Sequence, residues 1–281
     1  MGTEQETISE IEKTEKTKHE IDMVNGPILK KMLVFAFPLM CSGVLQLLFN
    51  AADIIVVGRF AGDNSLAAVG STTSLINLLS NLFIGLSVGG NVLAARYFGA
   101  RREKDLSETV HTAIMVSLIS GVILAVIGMI LARPVLHLMQ APDSVLGLSA
   151  LYLRIYFIGM PSMMVYNFGS SILRAKGDTR RPLIFLSIAG VLNVILNLIF
   201  VIQFHMDVSG VATATAISQT VSAVLILRCL TKETGGFKLS LKKLRIHKDK
   251  LVTIAQIGLP AGFQGVLFSI SNVILQSSIN T

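Results

Sequence analysis

Seven stretches of this chain are too long, too apolar and too poor in charge to be anything but helices crossing a bilayer. They lie near residues 32–58, 65–94, 107–131, 149–172, 182–203, 209–230 and 251–279. About 20 apolar residues, each rising 1.5 Å, cross a hydrocarbon layer of ~30 Å. Membrane strands would be shorter and strictly alternating, whereas these runs show no alternation and are dominated by Leu, Ile, Ala and Val. A soluble core could not absorb a 281-residue chain that is 52% hydrophobic and 15% charged, with a mean hydropathy of +0.68. The expected class is an all-α integral membrane protein, multi-pass in the plasma membrane.

The formal charge of +7 would suggest nucleic acid in a soluble protein, but its distribution argues otherwise. Five basic residues precede or open the first run, and four follow the second (Arg96, Arg101, Arg102, Lys104). Four more follow the fourth run (Arg174, Lys176, Arg180, Arg181), and eight lie around the connection after the sixth. These same-side segments hold 21 of the 24 lysines and arginines, leaving Arg59, Arg133 and Arg154 for the other side. The positive-inside rule then makes the N-terminus cytoplasmic. The basic excess is topology, and no nucleic-acid partner is expected. Residues 1–25 mix acids and lysines with few apolar groups, which excludes a cleaved signal peptide and predicts a disordered cytoplasmic tail. Cys41 and Cys229 are expected to be buried free thiols.

The seventh run echoes the first. An offset of 222 residues aligns Pro38 with Pro260, Gly43-Val44-Leu45 with Gly265-Val266-Leu267, and Asn50 with Asn272. Six spans between the copies would leave both running in the same direction, an arrangement of two-lobed transporters with the substrate site between lobes. The expected organisation is a first lobe of about six helices at 26–231 and a basic cytoplasmic connection at 232–250. The first helix of a second lobe would follow at 251–281, with the chain truncated there.

Among seventeen acids, Asp53 alone lies well inside a run, in "FNAADIIVVG". An intramembrane acid is by default a candidate for an ion or proton path. Gln46, Asn50 and Asp53, spaced i, i+4, i+7, share one helix face, and such a stripe must meet protein or a wet cavity. The alternative is an interfacial acid near Arg59 with no role. In "VLNVILNLIF" the carboxamides of Asn193 and Asn197 share a face at i, i+4, able to ligate a cation, bind substrate or bridge helices. Asn77 with Asn81 and Thr215 with Gln219 repeat that spacing, and Asn167 adds an amide, so a polar chamber is expected. Gly85 with Gly89, Gly58 with Gly62, and Gly210 with Ala214 are small-residue pairs suited to helix packing. Pro38 and Pro161 are expected to bend their spans.

Nucleotide-binding, metalloprotease and serine-hydrolase motifs are missing, and the five histidines have no metal-ligand spacing. No enzyme activity, bound metal or organic cofactor is expected, and transport would have to draw on an ion gradient. Taken in order, "FPLMCSGVLQLLFNAADIIVVGRFAG", "AARYFGARR", "LRAKGDTRRPL", "VLNVILNLIF" and "SGVATATAISQ" resemble the multidrug and toxic compound extrusion (MATE) family over about residues 26–281. That resemblance implies a twelve-helix exporter of two six-helix lobes, exchanging protons or sodium for amphipathic, often cationic, organic compounds. It would make this chain a six-helix lobe with a seventh helix opening the second lobe, and its partners the bilayer, small organic substrates and its own missing second lobe. Asp53 matches the first-helix acid implicated in ion coupling, and Asn193 and Asn197 match the fifth-helix polar pair. Some members carry an aspartate where this chain has Asn197, and some branches a glutamate near Phe268. Gln46, Asn50, Asn77, Asn81, Asn167 and Gln219 would shape the cavity. The alternatives are a flippase for lipid-linked precursors, disfavoured because only Arg154 could meet a phosphate within a span, and a non-transporting membrane protein.

Overall fold

The apolar runs are helical in the computed structural model, which describes residues 28–138 and 143–280. Helix α1 covers Ile28–Phe60, α2 Asp63–Gly99 and α3 Glu103–Leu138. Then come α4 (Asp143–Ile158), α5 (Met160–Ala175), α6 (Arg180–Leu198), α7 (Asp207–Lys232) and α8 (Lys248–Asn280). A π-helical turn, Ile199–Gln203, prolongs α6, and two 3-10 turns, Gly235–Phe237 and Leu241–Lys243, lie between α7 and α8. Helices satisfy their backbone groups internally, as hydrocarbon demands, and among the described residues there are no strands. The expected tail at 1–25 lies outside the described residues.

Among the described residues six helices are individually long and apolar enough to cross a membrane, and the α4–α5 pair, taken as one span, makes seven. The bend expected at Pro161 is there, as a full break of 47° between α4 and α5. Pro161, in the first turn of α5, has no N–H to continue the helix, and the Gly159 N–H turns back to Tyr156 O at 3.0 Å. Helix α3 crosses at this bend. Its Gly121 faces the Pro161 backbone and its Gly128 the Phe157 ring, so a Cβ at either glycine would overlap its neighbour. By contrast α1 runs through Pro38, and α8 through Pro260, without interruption.

Two apolar clusters hold the bundle, one towards each end. The first gathers Val57, Leu136, Leu153, Phe157, Met160 and Val208; the second gathers Leu106, Ile114, Phe168, Leu230, Phe237 and Ile254. Lipid is as apolar as leucine, so close packing rather than escape from water drives these contacts. The tightest seam joins α2 to α8. Gly85 and Gly89 meet Gly258 and Gly262 backbone to backbone, and a Cβ on Gly258 would lie 2.6 Å from Leu86 Cα. Gly62, paired with Gly58 from sequence, instead has φ 84° and forms the α1–α2 turn, where its carbonyl accepts from Leu66 N–H at 3.1 Å. Large apolar side chains such as Leu47, Leu48 and Ile55 on α1, and Leu267 and Phe268 on α8, remain exposed. Cys41 and Cys229 are free and half-buried.

Candidate functional site

Asp53 reaches its partners because α1 lies closely against α6. Gly190 on α6 has no side chain, and the ring of Phe49 occupies that hollow. One turn further along α1, the Asp53 Oδ1 accepts a hydrogen bond from Asn197 Nδ2. The same Nδ2 donates to Asn193 Oδ1 at 3.2 Å, and Asn193 Nδ2 donates to Thr215 Oγ1 on α7 at 3.1 Å. The i, i+4 pair therefore serves as a relay of hydrogen bonds across α1, α6 and α7. Asn197 is 0% exposed and Asn193 5%, and the buried Asn197 Oδ1 has no hydrogen-bond partner. Tyr152 and Tyr156, one turn apart on α4, lie within electrostatic reach of the carboxyl.

No lysine or arginine among the described residues forms an ion pair with Asp53. Arg59, the neighbour that would make this an ordinary interfacial acid, is exposed and not among its partners. A carboxylate half-buried between helices and met only by one neutral amide is electrostatically uncompensated. Uptake of a proton or of one monovalent cation removes the imbalance. The free Asn197 Oδ1 beside the carboxyl is an acceptor for either. Among the described residues no group of three or more His, Cys, Asp or Glu could hold a metal ion.

The remaining sequence candidates are spread more widely. Gln46 and Asn50 share the face of Asp53 but are exposed, as is Asn77 on α2. Asn81 bridges helices, donating to Ser269 Oγ at 2.8 Å and Gly265 O at 3.4 Å on α8. Asn167 is spent on its own helix, donating to Met163 O at 2.9 Å. Gln219 is half-buried on α7. The sequence reading missed Tyr152 and Tyr156; two phenols at i, i+4 in an apolar run were the available signal. A cavity of about 490 Å³ opens between α1 and α6, lined by Phe37, Met40, Val44, Leu45, Leu183 and Ser187. It lies along α1 on the N-terminal side of Asp53.

A buried carboxylate, by contrast, lies at the basic end of the bundle. Glu233, just past α7, receives Lys176 Nζ at 2.8 Å and also Arg181, which in turn pairs with Asp178. Asp178 Oδ1 accepts from the N–H groups of Arg180 and Arg181, each at 3.1 Å, and so starts α6. Burial pushes the Glu233 carboxyl up, but the hydrogen bonds and charges of Lys176 and Arg181 outweigh it and hold the group below the usual glutamate value. The "LRAKGDTRRPL" stretch thereby locks the α5–α6 turn to the end of α7.

Residues 38–199 match the family described as MatE. The probable multidrug resistance protein YoeA of Bacillus subtilis is 32% identical over 260 residues, covering 90% of this chain and 56% of that protein. The multidrug export protein MepA of Staphylococcus saprophyticus is 25% identical, covering 88% and 55%. A solved structure described as the outward-facing conformation of a multidrug resistance MATE family transporter of the MOP superfamily superposes with a TM-score of 0.85 at 28% identity, covering 94% of this chain and 58% of that one. The chain thus spans little more than half the length of each.

Proposed function

The chain belongs to the MatE family of membrane transporters, and from that premise we propose that it forms the first lobe of a secondary multidrug exporter, coupled through Asp53 to protons or sodium. The observation that carries the reading is the uncompensated carboxylate held by Asn197, with a free amide oxygen beside it. The driving ion enters from outside and neutralises Asp53. Neutralisation changes the Asp53–Asn197 bond that joins α1 to α6, and so biases the lobe between outward- and inward-open states. A ligand shifts such an equilibrium only by binding one state better than the other, and a site built across two helices supplies that difference. Asn193 and Thr215 extend the same link to α7.

The cargo is an amphipathic organic cation. The α1–α6 cavity offers apolar walls with one hydroxyl, suited to the greasy part of such a molecule. The lobe lies in the plasma membrane with its N-terminus cytoplasmic and works with a second lobe, to which α8 and the connection at 232–250 lead. Chemistry on the substrate is not part of this reading. The test is export of a fluorescent cation from cells producing the protein from its own gene. Asp53→Asn abolishes gradient-driven export while the protein remains in the membrane. Undiminished export by that variant would overturn the coupling role.

A further inference from the structure

The connection between α7 and α8 is a folded element rather than a slack linker. Phe237 and Leu239 are both buried, and the Leu239 N–H donates to Leu230 O at 2.9 Å. Gly236 N–H donates to Glu103 on α3. Buried His111 on α3 directs Nδ1 at Ser107 O, 2.7 Å away, and that carbonyl can only accept, so Nδ1 carries the proton. Its Nε2 accepts the Ser240 N–H at 3.1 Å. Next to it, Thr112 Oγ1 accepts the His247 N–H at 3.1 Å. Lys250 closes the arrangement, donating to Asp105 at 2.6 Å and to Tyr97 Oη at 3.2 Å.

Between this laced segment and the first turns of α3 lies a cavity of about 430 Å³, lined by Ser107, Glu108, His111, Lys242, Lys243, Leu244, Arg245 and His247. Among the described residues, Lys242, Lys243 and Arg245 have no carboxylate partner. Glu108 stands 3.8 Å from Lys250 Nζ, so its charge is already shared. Three unpaired cations thus converge on a preformed pocket, and preorganisation spares a ligand the cost of ordering it. We propose that this pocket binds a phosphate-bearing anion, specifically the headgroup of an anionic phospholipid.

Two features favour a lipid over free phosphate. The pocket sits where α3 and α8 pass from polar first turns into their apolar runs, the depth at which headgroups lie. Leu241, on the same 3-10 turn as Lys242 and Lys243, is 62% exposed, an apolar side chain presented beside the cations as at a bilayer surface. Lipid bound there would bridge the connection to α3.

The test is titration of the purified full chain with fluorescently labelled short-chain phosphatidylglycerol, followed by anisotropy, with unlabelled inorganic phosphate and short-chain phosphatidylcholine as competitors. Each basic residue near an anionic lipid surface contributes about fivefold, so Lys242→Glu, Lys243→Glu and Arg245→Glu together, which also add repulsion, weaken binding by at least about a hundredfold. A control with the same charge change, Lys104→Glu, Lys232→Glu and Lys238→Glu, lies outside the pocket lining and binds as the parent does. All six positions are exposed, and thermal unfolding monitored through the two free cysteines verifies that both variants fold. Equal weakening by the two variants, or displacement by phosphatidylcholine as readily as by unlabelled phosphatidylglycerol, would overturn the site. Displacement by inorganic phosphate at the same concentration would overturn the lipid as its occupant.

Discussion

Asp53 and Glu233 are both shielded acids, yet the protein treats them in opposite ways. Glu233 is met by Lys176 and Arg181, and its charge is fully answered. Asp53 is met by one carboxamide, and no cation among the described residues answers it. The first arrangement suits a joint that must not move: breaking it takes from two cations a carboxylate that both share. The second suits a site that must change its occupancy, since an acid already paired with lysine has little reason to bind a proton or a cation. Pairing chemistry, more than burial, separates the acid that holds the fold from the acid available for work.

The largest expected effect tests the joint. Glu233→Ala removes the carboxylate shared by Lys176 and Arg181, leaving Arg181 only Asp178, and should destabilise the protein by about 3–5 kcal/mol, read as a fall in thermal unfolding midpoint. Glu233→Gln keeps the shape but not the charge, and its loss of about 1–3 kcal/mol should also depend on pH. Because the folded-state carboxyl is held below its ordinary value of 4.5, the stabilisation is complete above that pH and is lost as pH falls through the lower folded value. The gap between parent and Glu233→Gln should therefore narrow on acidification below about pH 4.5. A gap independent of pH would show that the charge does not matter.

Asp53→Asn should behave differently. Removing an unanswered charge while keeping a hydrogen-bonding side chain should leave the unfolding midpoint within about 1 kcal/mol of the parent, or raise it. A loss as large as that of Glu233→Ala would make Asp53 a structural acid and erase the distinction. The smallest effect is expected at the far end of the relay. Thr215→Val takes away the acceptor of Asn193 Nδ2, and interhelical bonds of this kind average about 0.6 kcal/mol in membrane proteins. Its export rate should fall only if the relay to α7 takes part in the lobe's motion.

The residues that could be recognised without coordinates were those whose meaning is local. A span is a property of consecutive side chains, so apolar length alone located the seven runs that are helical among the described residues, and the tally of lysines and arginines gave the expected orientation. Asp53 stood out because no other charge shares its run, and the Asn193–Asn197 pair because 3.6 residues per turn places both on one face. Which face meets which neighbour is not a local property. Gln46, Asn50 and Asp53 share a stripe, yet only the last is shown bonded to α6, because the Phe49 ring seats over Gly190 and sets the register of the two helices. Asn81 and Asn167 read alike in sequence, but one bridges to α8 and the other folds back on its own turn. The glycine seam between α2 and α8 and the clamp on Glu233 likewise arise from close approach between segments distant in the chain, whereas the break at Gly159 follows from Pro161 close by. Composition and periodicity thus decided that this protein crosses a membrane and roughly where. Only tertiary packing decided which acid is answered by a cation and which is left open, because a countercharge is supplied by whichever helix end comes to lie beside it.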